Sequence, residues 1–221
     1  MDDKIAPITS EFFPSLKRRE KYTTKSNGEC YAYRYFRENY QHEIAEDCVC
    51  RCVYCDSHEQ EMGGREQMQI DHFRPYTRAG FEHLENLPEN FHHACGRCNS
   101  LKSDKWPSTH PTEPHDGSVG FVDPFADDRR RYFKVAEDGE LIPLQPPAEY
   151  LIRVLALNRR HLKLLRLLRI YRSLLEMYAT ERLPRWEAAQ QGKGMTLVEC
   201  ANEFAEYRRL HWLSSFGVSE K

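Results

Sequence analysis

The sequence predicts an α+β fold, in which a small core of two short strands and one short helix carries helical additions at both ends. Two cysteine pairs, Cys52-x-x-Cys55 and Cys95-x-x-Cys98, bracket a segment whose apolar residues alternate as in a strand. The last third of the chain instead repeats leucine at helical spacing. At 221 residues and 40% hydrophobic content, the chain is long enough to bury such a core.

The two cysteine pairs indicate a zinc site. Four thiolates at this spacing suit one tetrahedral Zn²⁺, held by Cys52, Cys55, Cys95 and Cys98. Such an ion keeps no open position for water or substrate, so we expect it to be structural. It would staple the residues between the pairs into one small unit, where we expect the chemistry to lie.

Composition and charge set the broad class. No segment approaches the ~18 apolar residues of a membrane span, and the N-terminus is too polar for a secretory signal. We therefore expect a cytoplasmic protein without a membrane partner, and thiolate metal ligation explains the eight cysteines better than disulfides do. A net charge of -2 argues against a uniformly basic surface, although basic patches remain.

We expect four regions along the chain: an N-terminal arm and helix (1–49), the core (50–107), a connector with a hairpin (108–148) and a helical region (149–221). Residues 1–25 contain few periodic apolar positions and predict an irregular arm. The stretch 29–45, rich in Tyr and Arg, predicts a helix.

Within the core, Met68, Ile70 and His72 alternate with polar residues, which predicts a half-buried strand ended by Arg74-Pro75. A loop (76–89), a second strand (91–94) and a short helix (96–104) follow. The connector predicts a hairpin, 131–135 with 141–144, around Asp138-Gly139.

The C-terminal region predicts a long amphipathic helix (149–179) and a second helix (196–212). Its apolar stripe, formed by Leu151, Leu155, Leu162 and Leu165, should pack on the core or on a second chain. The basic residues Arg159, Lys163 and Arg166 could contact a DNA backbone, form a solvated face, or bind an acidic partner.

Asp71 and His72 are adjacent at the end of the first strand. A hard carboxylate there can bind Mg²⁺, and an imidazole can take a proton from water. Asn99, just after the second cysteine pair, offers a neutral oxygen to the same ion. An isolated Asp-His pair is more often a surface or core pair, but the bracketing cysteines and Asn99 favour a site.

The motifs IDHFRP and ENFHHACGRCNSLKSDKWP, preceded by CVYC, resemble the HNH endonuclease family over about residues 50–107. That family has a ββα-metal finger, often stapled by a four-cysteine zinc. The resemblance implies that His72 is the general base and that Asp71 and Asn99 hold a catalytic divalent ion. Asn90 matches the central Asn, which orients the loop and the base.

Many relatives place a metal-binding His on the helix, whereas this chain has Asn99 and, one turn later, Ser103. The implied ion site is therefore rich in oxygen and suits Mg²⁺ or Mn²⁺. Lys102 could reach a flanking phosphate, or be an ordinary solvated lysine. For His92 and His93, packing inside the core is the preferred interpretation over metal or phosphate binding.

The segments DPFADDRRRYFKVAEDGELIP and ALNRRHLKLLR resemble the HNH subunits of bacterial anti-phage systems such as Septu, where the nuclease works beside an ABC-type ATPase. This second resemblance implies a partner protein and regulated cleavage. Two alternatives stay open: a zinc-ribbon module that binds nucleic acid without catalysis, and a scaffold whose finger holds a protein interface together.

Overall fold

The computed structural model describes residues 12–22, 24–192, 194 and 196–215. The predicted arm (1–25) lies partly outside the described residues, and its described parts, 12–22 and 24–25, contain no helix. The helices are α1 (Tyr33–Asn39), α2 (Gln41–Asp47), α3 (Gly96–Lys102), α4 (Ala148–Val154), α5 (Arg160–Met177), α6 (Leu183–Gln190) and α7 (Leu197–Ser215), with a π-helical stretch (Tyr178–Arg182) after α5. The strands are β1 (Met68–His72), β2 (Phe91–Cys95), β3 (Phe133–Val135) and β4 (Leu141–Pro143).

The centre of the fold is an antiparallel hairpin followed by a helix. β1 pairs with β2 in a register that puts Met68 opposite Cys95 and His72 opposite Phe91. Helix α3 starts directly after Cys95, so the second cysteine pair lies at a strand-to-helix junction. The predicted order of two strands and a helix is confirmed, and so is the α+β class.

The burial of the hairpin departs from the predicted alternation. Every residue of β2 is buried, and Asp71, expected on the polar face of β1, is buried as well. Both faces of the hairpin are covered. One face packs in an apolar cluster with the zinc-site residues and α5, and the other packs against α1 and α2 through Phe36 and Ile44. A two-residue period predicts a strand but not a second covering layer.

The predicted long helix (149–179) is wrong in one respect, because residues 155–159 interrupt it. Ala156 has a positive φ of 46°, and Asn158 binds both backbone groups of Leu141 on β4, with its Oδ1 accepting at 2.7 Å and its Nδ2 donating at 2.8 Å. The turn is thus fastened to the neighbouring hairpin. The predicted stripe packs on the core: Leu151, Leu155 and Leu162 are buried in the main cluster, and Leu165 is partly buried against it.

The second hairpin is confirmed, with Val135 opposite Leu141. Its turn packs against α5 so closely that a Cβ on Gly139, where φ is +80°, would lie 2.1 Å from the carbonyl oxygen of Lys163. Only glycine fits that contact. The single helix predicted for 29–45 is instead two, α1 and α2, separated at Tyr40.

The helix predicted at 196–212 is observed as α7. Within the described part of the chain, no helix combines the length and the apolarity that crossing a membrane requires.

Candidate metal centre and active-site cleft

The four cysteines of the two pairs converge. Their sulfur atoms all lie within 4.8 Å of one another, and all four residues are buried. The Sγ atoms of Cys55 and Cys95 are 3.9 Å apart. Sulfurs bound to one tetrahedral zinc at about 2.3 Å would be separated by about 3.8 Å. The cluster of Cys52, Cys55, Cys95 and Cys98 therefore fits the zinc ion that the sequence predicts.

Backbone hydrogen bonds shape the first cysteine pair. The amide of Asp56 donates to the carbonyl of Cys52 at 2.9 Å, and Asp56 has a positive φ of 63°. The amide of Val53 donates to the carbonyl of His93 at 3.0 Å, which fastens the turn to β2. The turn thus holds its cysteines opposite those of the strand-to-helix junction.

Arginines surround this cluster. The guanidinium of Arg159 lies 3.7 Å and 3.9 Å from Cys98 Sγ, close enough to donate to a thiolate. Arg129 donates to the Val53 carbonyl at 2.9 Å, and Arg169 pairs with buried Asp56 at 2.8 Å. Four thiolates around one Zn²⁺ form a negatively charged centre, and nearby guanidinium groups offset that charge.

The basic side chains of Arg159, Lys163 and Arg166, predicted to be open to solvent, DNA or a partner, are instead held by contacts inside the protein. Arg166 is only 2% exposed and donates to the carbonyls of Gly139 and Leu157. Lys163 pairs with Asp138 and Glu140 in the hairpin turn, while Arg159 contacts the zinc-site sulfur. Helical periodicity places these residues on one continuous helix, but it does not show that Arg159 lies in the break before α5 or that the hairpin and the cysteine turn pack over them.

A cleft of about 420 Å³ opens where β1 ends, and it brings together most of the predicted catalytic residues. Asp71 and His72 line it from β1, and Asn99 lines it from α3. The remaining lining residues come from α1, β1, the loop after β1, and α3 with the residues that follow it: Tyr33, Ile70, Pro75, Tyr76, Thr77, Ser100, Ser103 and Asp104.

His72 is held in one tautomer. Its Nε2 lies 2.8 Å from the carbonyl oxygen of Glu85. A carbonyl only accepts, so Nε2 carries the proton and Nδ1 keeps its lone pair. Burial lowers the pKa of His72, which favours the neutral ring at pH 7. The rings of Tyr33 and Tyr76 contact the imidazole, with centroids 4.4 Å and 4.5 Å away.

Asn90 organises the loop that supplies this carbonyl. It is fully buried, its Oδ1 accepts from the Arg74 amide at 2.8 Å, and its Nδ2 donates to the carbonyls of Arg74 at 2.9 Å and Leu84 at 3.2 Å. Leu84 directly precedes Glu85. Asn90 therefore acts on His72 through the loop and not by direct contact.

Lys102 is neither a solvated lysine nor free to reach a flanking phosphate, because its side chain is completely buried. Its Nζ donates to the carbonyl of His72 at 2.8 Å and lies 3.4 Å from the carboxylate of Asp71. Asp71 also accepts a hydrogen bond from the hydroxyl of Tyr54. Burial raises the pKa of Asp71, while Lys102 and Tyr54 act to lower it. Lys102 is thus an internal partner of Asp71.

The oxygen atoms in the cleft are ligands of the kind that suit a hard cation. Asn99 Nδ2 donates to Gln69 Oε1 at 2.7 Å, and no residue that the structure describes donates to Asn99 Oδ1. The same cleft contains the carboxylates of Asp71 and Asp104 and the hydroxyls of Ser100 and Ser103. The oxygen atoms of these side chains are of the kind that Mg²⁺ and Mn²⁺ prefer, and Asp71 and Asn99 are the residues that would hold such an ion.

His92 and His93 are both buried, and neither lines the cleft. His92 stacks on Phe73 with a centroid distance of 4.7 Å, and burial lowers its pKa. His93 Nε2 lies 3.3 Å from a carboxylate oxygen of Glu59, and burial lowers its pKa to about 4. The preferred interpretation, that these residues are packed, agrees with their positions.

With this geometry described, comparison with known proteins gives one finding. Residues 52–105 match the family model for HNH endonuclease. The match spans both cysteine pairs and the cleft residues from Asp71 to Asp104, and it supports the resemblance to the HNH family and an endonuclease activity. Neither the search of curated proteins nor that of solved structures gave a match.

The sequence does not single out several residues of the site, among them Tyr54, Gln69 and Tyr76. Tyr54 was overlooked inside CVYC, although it supplies the hydroxyl that binds Asp71. Gln69 orients the Asn99 amide, and Tyr76 contacts His72. The alternation along β1 offered one usable signal, since Gln69 and Asp71 share a face of the strand and so both face α3.

Proposed function

We propose that this protein is a metal-dependent endonuclease that hydrolyses DNA phosphodiester bonds in the cleft beside His72. The observation that carries the proposal is the hydrogen bond from His72 Nε2 to the Glu85 carbonyl, beside a cleft that also contains Asp71 and Asn99. A neutral imidazole with a fixed tautomer is what a general base for water needs.

In this mechanism, His72 takes the proton of the attacking water at Nδ1, and the positive charge that develops on the ring is stabilised by the Glu85 carbonyl. Asn90 keeps that carbonyl in place through the loop. Asp71 and Asn99 would hold Mg²⁺ or Mn²⁺, which supplies positive charge to the scissile phosphate and its leaving oxygen.

The test is cleavage of plasmid DNA with and without Mg²⁺ or Mn²⁺. We expect His72→Ala to lower the rate by about 10² to 10⁴-fold, the usual share of a general base. Zinc content and circular dichroism should not change, because His72 contacts none of the zinc-site cysteines. His83→Ala, an exposed histidine of the same loop region, is the matched control.

Equal rates for the wild type and His72→Ala would remove His72 from the mechanism. If the wild-type protein binds DNA but no divalent ion supports cleavage, the alternative of a zinc-ribbon binding module is favoured. If it neither cleaves nor binds, the scaffold interpretation is favoured.

We further propose that the nuclease belongs to a bacterial anti-phage system and works with an ABC-type ATPase. This part rests on the resemblance of residues 123–143 and 156–166 to Septu-type subunits. Co-expression with an ABC-type ATPase encoded beside it should give a complex that survives gel filtration. Separate elution of the two proteins, at micromolar concentrations and with ATP present, would contradict this proposal.

A further inference from the structure

A second cavity, distinct from the catalytic cleft, lies between the segment around the first cysteine pair and helix α5. It has a volume of about 560 Å³ and shares no lining residue with the cleft. One wall consists of Arg51, His58, Gln60 and Glu61, and the other of Leu165, Leu168, Arg169 and Arg172. We refer to it as the arginine cavity.

Two arginines of the cavity have N–H groups that make no hydrogen bond with the described residues. Arg51 uses Nη1 to donate to the Asp56 carbonyl at 3.0 Å and to pair with the Asp56 carboxylate at 3.7 Å, but its Nε and Nη2 have no partner among the described residues. Arg172 is exposed and makes no ion pair or hydrogen bond with any residue that the structure describes. Both guanidinium groups are therefore available to an anion.

The remaining polar groups of the cavity add donors. His58 Nδ1 accepts from the Gln60 amide at 3.2 Å, so the neutral ring carries its proton on Nε2. Glu61 supplies the one carboxylate among the lining residues, and Arg169 pairs with it at 2.9 Å. The same carboxylate accepts from the His58 amide at 2.7 Å. The negative charge in the wall is thus already compensated.

The opposite wall has an apolar part. Leu168 is buried and Leu165 is half-buried, and both lie on α5 in the same wall as Arg169 and Arg172, opposite Arg51. A cavity of this size falls in the range of about 300 to 1,000 Å³ that is typical of small-ligand sites. Positive donors from both walls, beside the aliphatic side chains of Leu165 and Leu168, match a ligand that carries a phosphate and a flat ring.

We propose that the arginine cavity binds a nucleotide, with its phosphate on Arg51 and Arg172 and its base against Leu165 and Leu168. The nucleotide is either free or one unit of a nucleic-acid strand. The site is separate from the proposed catalytic cleft, so a nucleotide held here would regulate or anchor the protein and would not be hydrolysed.

Isothermal titration of the full-length, zinc-loaded protein tests this proposal with three probes: pyrophosphate, ATP and a twelve-nucleotide single-stranded DNA. We expect ATP or the oligonucleotide to bind more tightly than pyrophosphate. Arg172→Gln should weaken that binding by about tenfold, as loss of one charge-assisted contact does. Arg97→Gln, an exposed arginine of α3 outside the cavity, is the matched control.

Arg51→Gln should have the same effect, and melting temperatures separate lost binding from lost folding, since Arg51 also contacts Asp56. Binding of ATP identifies a free nucleotide, and binding of the oligonucleotide alone identifies a strand. Failure of all three probes, binding that both variants leave unchanged, or equal affinity for pyrophosphate and ATP would overturn the proposal.

Discussion

Lys102 Nζ lies 2.8 Å from the carbonyl oxygen of His72, so a side chain at the end of α3 reaches the last residue of β1. The same nitrogen lies 3.4 Å from the Asp71 carboxylate, and both side chains are buried. The helix is thereby clamped to the strand that carries the proposed general base. One buried lysine supports the position of two predicted site residues.

We expect Lys102→Met to lower the free energy of unfolding by about 3 to 5 kcal/mol, because it leaves Asp71 buried without its partner. Chemical denaturation measures the change. Lys105→Met is the control, since Lys105 is exposed and its side chain donates only to the Leu101 carbonyl. Equal stabilities of the two variants would mean that the Lys102 contacts contribute little.

Asn99→Ala should raise the Mg²⁺ or Mn²⁺ concentration needed for half-maximal cleavage by on the order of tenfold, because it removes one oxygen ligand and leaves the base intact. Excess Mn²⁺ should restore most of the rate. His72→Ala should not recover under the same conditions. The same failure to recover in both variants would show that Asn99 acts otherwise than by binding the ion.

Asp71 needs a gentler substitution than alanine. Alanine would leave both Lys102 and the Tyr54 hydroxyl without their acceptor, so lost activity could reflect lost folding. Asp71→Asn keeps an oxygen and the size of the side chain. We expect it to raise the Mg²⁺ or Mn²⁺ concentration needed for half-maximal cleavage, as Asn99→Ala does. Its melting temperature should stay closer to the wild type than that of Asp71→Ala.

The zinc site should contain one ion per chain, and Cys95→Ser should unfold the region around it, since structural zinc contributes on the order of 10 kcal/mol in small domains. Arg159→Met should speed zinc release to a chelator, because it removes the donor to Cys98. Arg160→Met, exposed at the next position, should not. Protein purified without zinc would contradict the assignment.

Gly139→Ala should destabilise the protein by about 3 kcal/mol or more, since it combines a positive φ with an overlap against the Lys163 carbonyl. Gly80→Ala isolates the first effect. Gly80 has a φ of +86° but open space around it, so we expect a cost of about 1 to 2 kcal/mol. Thermal or urea unfolding of both variants gives the difference.

Much of the core could be predicted because its signals are local. The cysteine spacing, the alternation from Met68 to His72, and the short stretch before Asn99 each determine structure within a few residues. The assembly of Asp71, His72 and Asn99 at one cleft follows from the hairpin and helix order. These predictions needed no knowledge of the rest of the chain.

The predictions that were wrong concern features that depend on contacts between residues far apart in the sequence. Nothing near Ala156 in the sequence announces a helix break, because the cause is the pairing of Asn158 with Leu141 on another element. The burial of Arg166 and Lys102 has the same origin. A charged residue on an amphipathic helix is usually exposed, and only its tertiary partners reveal an exception.

The arginines around the zinc cluster affect whether the segment that matches the HNH model can be separated from the rest of the chain. Arg129 and Arg159 both lie outside the segment that matches the HNH model, yet they bind the Val53 carbonyl and the Cys98 sulfur within it. Arg169 likewise reaches Asp56 from α5. A fragment limited to residues 52–105 would lose the arginines that offset the negative charge of the thiolates, and it would lose the helix that covers the zinc site. We therefore expect that the matched segment does not fold on its own and cannot be transferred to another protein.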